Sequence, residues 1–267
     1  RTPTVPQPKG LVAYPTFTLH RPRVGIYQSW LAPSDEGWTR FVLDRFEFPY
    51  TVLHNRDIQA GNLSRSLDAV IVPSQTRQEI LEGTDTSPGR LQEPRPEPYD
   101  GGLEESGMDA LRTFVEKGGV LIALGDAVEL ATEDMNLPVR NLTRSLPARE
   151  FSTPGTMLRV TVNPAHPLGY GMPEHAMVYH TTDPVLGTQL PEPGSERSVV
   201  VRFEDADRVV ASGWAAGTEI LEHRAALVEV SLGRGRMDLF AFRPQYRGQT
   251  HGTYRMLLNA LLSAASD

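Results

Sequence analysis

Residues 103–126, LEESGMDALRTFVEKGGVLIALGD, decide the fold class. Leu111, Phe114 and Val115 recur at helical spacing, so Leu103 to Lys117 reads as an amphipathic helix that Gly118-Gly119 ends. Val120 to Leu124 is then a run of five apolar residues. Such a run fits a strand buried on both faces, which a parallel sheet covered by helices on either side requires. Outward from this unit the same texture repeats. Leu67 to Val72 (LDAVIV), Tyr50 to Leu53 and Val24 to Tyr27 read as further strands. A helix between the last two runs from Ser34 or Asp35, either of which serves as its cap, to about Phe46. Trp38, Phe41, Val42 and Arg45 are at helical spacing, and Pro49 breaks the segment. A helical turn is expected around Glu79-Ile80-Leu81 and a helix from Asp126 to Met135. Residues 83–102, with four prolines and four glycines, read as a surface loop. Strands alternating with helices in this order predict a flavodoxin-like, doubly wound, mostly parallel α/β sheet.

The texture changes near residue 150. Met157 to Val162 alternates apolar and polar, and His175 to His180, Ser198 to Phe203 and Arg208 to Ser212 are short and strand-like. Residues 151–224 therefore read as a β-rich insertion within one α/β domain spanning 23–267. Ala225 to Leu232 and Met237 to Phe242 flank Gly233-Arg234-Gly235 as a hairpin, and a helix opened by Thr250 or Thr253 runs to about Ala264. Pro3, Pro6 and Pro8 make residues 1–22 a linker or extended arm.

Composition excludes several functions. With no cysteine, there is no thiol nucleophile, no disulfide and no Cys-ligated metal. A net charge of −7 argues against a nucleic-acid partner, which wants a basic face. No apolar run approaches the length of a membrane span.

Three stretches, RVGIYQSWLAPSDEGWTRFVLDRFEFPYTVLH (23–54), HPLGYGMP (166–173) and GRGRMDLFAFRPQYRGQTHGTYRMLLNALL (233–262), carry a resemblance. Together they resemble the C-terminal domain of large bacterial zinc carboxypeptidases of the carboxypeptidase A-like family, a domain similar in fold to class I glutamine amidotransferases. The resemblance implies a secreted or periplasmic protein. It implies a partner too: an N-terminal peptidase domain of the same chain, which would hold the zinc. No cofactor and no metal is expected in the present residues. No His here is followed three residues later by Glu, so the zinc pair of that family is absent.

In active members of the amidotransferase fold, the resemblance implies a Cys on a sharp turn after a buried strand and a later Phe-His-Pro-Glu. The matching turn here is Leu124-Gly125-Asp126, and the later motif reads Phe242-Arg243-Pro244-Gln245. Arg cannot serve as a base near neutral pH, so the triad is degenerate. Asp126 is a weak candidate nucleophile, its plainer reading being an N-cap. His251 is a second weak catalytic candidate. For binding, Gln28, Trp30, Asp35, Glu36 and Trp38 lie after the first strand, and Arg243, Gln245, Arg247 and Gln249 are expected at the same edge. Aromatics beside such polar groups suit a glycan or a peptide; equally, the two Trp read as packing residues and the charges as a structural network. His175 and His180 fall on opposite faces of a strand because their spacing is odd. The expected function is a non-catalytic accessory domain of a zinc carboxypeptidase with a packing or substrate-binding role. The alternatives are a carbohydrate- or cell-wall-binding module and a hydrolase using Asp126 or His251.

Overall fold

The structure is a computed structural model describing residues 20–31, 33–84, 99–190 and 196–265. The expected linker 1–22 (apart from residues 20–22) and most of the expected loop 83–102 (residues 85–98) lie outside the described residues. In chain order the elements are β1 (Val24–Tyr27), α1 (Ser34–Arg45), β2 (Tyr50–Leu53), α2 (Asn55–Gln59), β3 (Ala69–Val72), α3 (Arg77–Glu82), α4 (Glu104–Glu116) and β4 (Val120–Leu124). Then follow β5 (Val139–Asn141), β6 (Pro154–Val162), β7 (His175–Thr181), β8 (Leu186–Thr188), β9 (Arg197–Phe203) and β10 (Val210–Ser212). The chain closes with α5 (Thr218–Leu221), β11 (Ala225–Leu232), β12 (Gly235–Phe240) and α6 (Tyr254–Ala264).

One half of the sheet is parallel, in the order β2-β1-β3-β4-β12. This is the flavodoxin-like strand order. Alternate strand residues divide between two cores. Val24, Ile26, Ala69, Ile71, Val120 and Ile122 pack with Leu43 of α1 and Met256, Leu257 and Leu261 of α6. Val70, Val72, Leu121 and Ala123 pack with Ile58 of α2, Ile80 of α3 and Leu111, Phe114 and Val115 of α4. Strands sandwiched in this way have no polar face, and so their sequences are unbroken apolar runs. No described helix is long and apolar enough to cross a membrane.

Beyond β12 the sheet turns antiparallel through β11, β9 and β6, with β7 and β10 also paired to β6. This is the β-rich part expected from the alternating sequence. Leu158, Val160, Val178 and Phe203 face the α6 core. The His175/His180 parity holds: His175 is exposed and His180 fully buried. Asn259 of α6 ties the two parts together by donating to the carbonyls of Leu168 and Tyr170, at 3.1 and 2.9 Å.

Several local expectations need correction. Neither Ser34 nor Asp35 caps α1: the helix starts at Ser34, Pro33 holds the N-cap position with no side-chain acceptor to offer, and the Asp35 carboxylate is bonded by Arg243. The strand expected from Leu67 begins at Ala69, since Asp68 turns to bond the Arg23 amide and guanidinium. The helix expected over 126–135 is replaced by a 3₁₀ turn, Gly125–Ala127, and a π turn, Leu130–Asp134. The short strands β5 and β8 pair with each other; with three residues each, they show no readable alternation.

The hairpin joining β11 to β12 sits directly over the α4–β4 turn. A Cβ on Gly235 would meet the carbonyl oxygens of Gly119 and Val115. Gly235→Ala should therefore cost about 1–3 kcal/mol by forcing rigid backbone apart. Gly37→Ala, in open space on α1, should gain about 0.5–1 kcal/mol. Denaturant melts of the two variants check this contrast.

Candidate functional site

Because β1, β3, β4 and β12 are parallel, their C-terminal ends share one edge, where ligands bind in open α/β sheets. Arg243, just past β12, is the centre of this edge. Its Nη1 donates to Asp35 Oδ2 at the start of α1, and its Nε donates to Asp183 Oδ1 just past β7, both at 3.1 Å. Asp183 is nearly fully buried. Its other oxygen accepts from the Thr181 amide and hydroxyl. Burial pushes the Asp35 carboxyl up and the neighbouring Arg243 pulls it down, with a net rise. Burial alone would lower the Arg243 pKa, but Asp183 and Asp35 outweigh it and the guanidinium stays charged. The Tyr246 ring lies 4.7 Å from the Arg243 guanidinium and 4.3 Å from the Tyr179 ring. The antiparallel part of the sheet thus supplies a wall of the site.

Gly125 occupies the first position after β4 with φ +54°. A Cβ there would lie 2.8 Å from Ser74 Cβ and 3.1 Å from Asp183 Oδ1, so the sharp turn has no room for a side chain. Asp126 follows. Its amide donates to Ser74 Oγ at 3.1 Å, and it makes no side-chain capping bond, which corrects the cap reading. Its carboxylate accepts no hydrogen bond from a described residue. Burial, and then the charge of Asp183, push this carboxyl up to about 7.

The other expected site residues separate. Gln28 is half-buried; its Nε2 donates to Glu36 Oε1 at 3.3 Å, and Glu36 pairs with Arg40 at 3.0 Å. Trp30 is 43% exposed, whereas Trp38 is half-buried edge-on to Phe41. Gln245 is fully buried and donates to Thr39 Oγ1, bracing α1. Arg247 is exposed, with its guanidinium over Tyr246. Gln249 and His251 are exposed, and among the described residues neither side chain bonds Arg243, Asp35 or Asp183; the Gln249 amide donates to the Tyr246 carbonyl at 2.9 Å, and His251 Nε2 lies 3.0 Å from the Gly248 carbonyl.

Sequence reasoning missed Ser29, Ser74, Gln75, Tyr99 and Asp183. Ser29 and Gln75 bond each other at 2.8–3.0 Å, bridging the ends of β1 and β3. The polar pair Ser74-Gln75 directly after an apolar strand was a usable signal. Asp183 had none, because its partner lies 60 positions away. Among the described residues, Asp205, Glu222 and His223 form a group able to hold a metal ion. The His223–Asp205 pair at 3.1 Å accounts for it as an exposed ion pair.

No protein-family model matches the sequence, and no curated protein matches it. Solved structures do match in fold. PurLQS from Thermotoga maritima aligns with a TM-score of 0.55 at 12% identity, covering 91% of this chain and 98% of that one. A protein described as part of a GMP synthase, from Thermoplasma acidophilum, aligns at 0.53 and 10% identity, covering 92% and 96%. A protein described as ThuA-like, from Bacteroides uniformis, aligns at 0.51 and 12% identity, covering 93% and 94%. The chain therefore has a class I glutamine amidotransferase-like fold, as the resemblance implied.

Two outcomes follow from the cluster's charges. Arg243→Gln leaves Asp35 and Asp183 buried without their cation and should cost about 3–5 kcal/mol at pH 8. The loss should shrink at pH 5, where protonation of Asp35, its carboxyl already raised by burial, relieves part of the charge; equal losses at both pH values would contradict the ion-pair account. Asp126 has the opposite role. Its folded-state pKa is raised, so its contribution is intact below about pH 4 and lost as pH rises towards 7. Asp126→Asn should match wild type near pH 4 and exceed it by roughly 2 kcal/mol at pH 8, discounted for partial solvation. Denaturation curves across this range give both values.

Proposed function

We propose that this chain is a non-catalytic accessory domain on an amidotransferase-like scaffold, whose former reaction centre is now a structural ion-pair lock. The observation that carries this reading is Arg243 held between Asp35 and Asp183 at the position of the expected base. A turn that has no space for a nucleophilic side chain at Gly125 supports it further. With Arg243 at the position of the expected base, a guanidinium that keeps its proton stands where the amidotransferase reaction needs an acceptor.

The resemblance of residues 23–54, 166–173 and 233–262 supports the more specific reading. The domain would belong to a secreted or periplasmic bacterial zinc carboxypeptidase, with zinc and peptidase chemistry in an N-terminal domain of the same chain. Its role there would be to pack against the peptidase domain and shape access to it. Phe41 and Phe46 on α1 are each more than 40% exposed, beside Trp38 and Tyr254, and offer an apolar face for such packing.

The test is ammonia release from glutamine, together with hydrolysis of a panel of ester and amide substrates, by wild type and Asp126→Asn. Both proteins should be inactive. Turnover by wild type that disappears in Asp126→Asn would replace this reading with the hydrolase one, since Asp126 has a carboxyl near neutrality among other carboxylates.

A further inference from the structure

We propose a binding site for an uncharged sugar ring at the outer end of the same sheet edge, built by Trp30, Tyr99, His54 and Gln28. Trp30 follows β1 and Tyr99 precedes α4, and their ring centroids are 5.2 Å apart at 59°. Tyr99 also packs on His54, with centroids 4.3 Å apart. The platform is fixed from behind. Tyr99 OH donates to Gln28 Oε1 at 3.3 Å, and Asn55 Nδ2 holds the Tyr99 and Gly101 carbonyls at 3.2 and 3.1 Å. Asn55 is buried and is itself bonded by Tyr27 OH at 2.7 Å. An exposed Trp face held by this framework loses little freedom on binding, which is what a stacking platform needs.

The polar rim selects the ligand. The Gln28 amide has two donor and two acceptor positions. Among the described residues its side chain uses one of each, to Glu36 and from Tyr99. Among the described residues this leaves one donor and one acceptor on an amide hydrogen-bonded to Tyr99, which itself packs on Trp30, a pattern that matches a pyranose with its C–H face and its hydroxyl edge. Glu36, the carboxylate bonded to Gln28, is paired with Arg40 at 3.0 Å, so it does not itself call for a cationic ligand. The place is apt as well. In this strand order the switch point lies between β1 and β3, and the β1 end carries Gln28 and Trp30. The site stands apart from the Arg243 lock and does not depend on whether Asp126 reacts.

The experiment is tryptophan fluorescence titration of the full chain with chitotetraose and with cellotetraose, repeated by calorimetry. Saturable binding by at least one of them is expected. Trp30→Ala should weaken it about tenfold or more, and Trp30→Phe by less, because a smaller ring remains. Gln28→Ala should weaken it several-fold. Trp214→Ala, which removes a 58% exposed Trp distant in sequence, should bind as wild type. Circular dichroism and melting temperature confirm that each variant is folded. The proposal is overturned if neither sugar saturates, if folded Trp30→Ala binds as wild type, or if a proline-rich peptide rather than a sugar saturates at Trp30.

Discussion

Arg243 lies where three separately folded parts of the chain must agree. It is carried by the last parallel strand, and its partners are the first turn of α1 and the loop after β7. The sheet register brings the first two together, because β12 and β1 are both members of the parallel block. The third arrives only if the antiparallel strands curl back far enough to deliver Asp183. Once a guanidinium is buried at this edge, leaving it unpaired would cost several kcal/mol. The antiparallel part of the sheet is thereby held over the parallel part by charge as well as by the apolar contacts of α6.

This lock and the Gly125 turn constrain the edge in different ways. Arg243 does so by chemistry, since a guanidinium keeps its proton. Gly125 removes the side chain by volume, since Ser74 and Asp183 already fill the space a Cβ would take. Asp126 is the residue left over. It holds the strand-end position, but its side chain caps no helix and accepts no hydrogen bond among the described residues, and burial drives its carboxyl up to about 7.

The parallel half of the fold was legible because burial on both faces leaves unbroken apolar runs such as AVIV and VLIAL, and helices between them leave a 3.6-residue stripe. The hairpin and the His175/His180 parity were legible for similar local reasons. The site was legible only in part. Arg243 and Asp35 were found because each lies beside a recognisable strand end. Asp183 was not, because its role comes from a contact 60 residues away in an insertion whose curvature no local pattern reports. The cap assignments failed for different reasons. Ser34 lies one position inside a helix whose N-cap is Pro33, and Asp126 sits in a 3₁₀ turn instead of before the α-helix it was expected to cap. The Asp35 carboxylate is bonded by Arg243, a tertiary contact that overrides a local preference worth about 1 kcal/mol.

A sheet of this kind has a long C-terminal edge, and its parts need not share one fate. Around β4 and β12 the edge is dense with charge, tightly bonded and closed. Past β1 and β2 it is aromatic, with Trp30 43% exposed and packed with Tyr99 and His54. The two regions are separated by the buried Ser29–Gln75 bridge, which pins the β1 and β3 ends together. The two regions still share one support: Asp35, bonded by Arg243, and Glu36, bonded by Gln28, are neighbours on the first turn of α1, so the position of that turn is set from both sides.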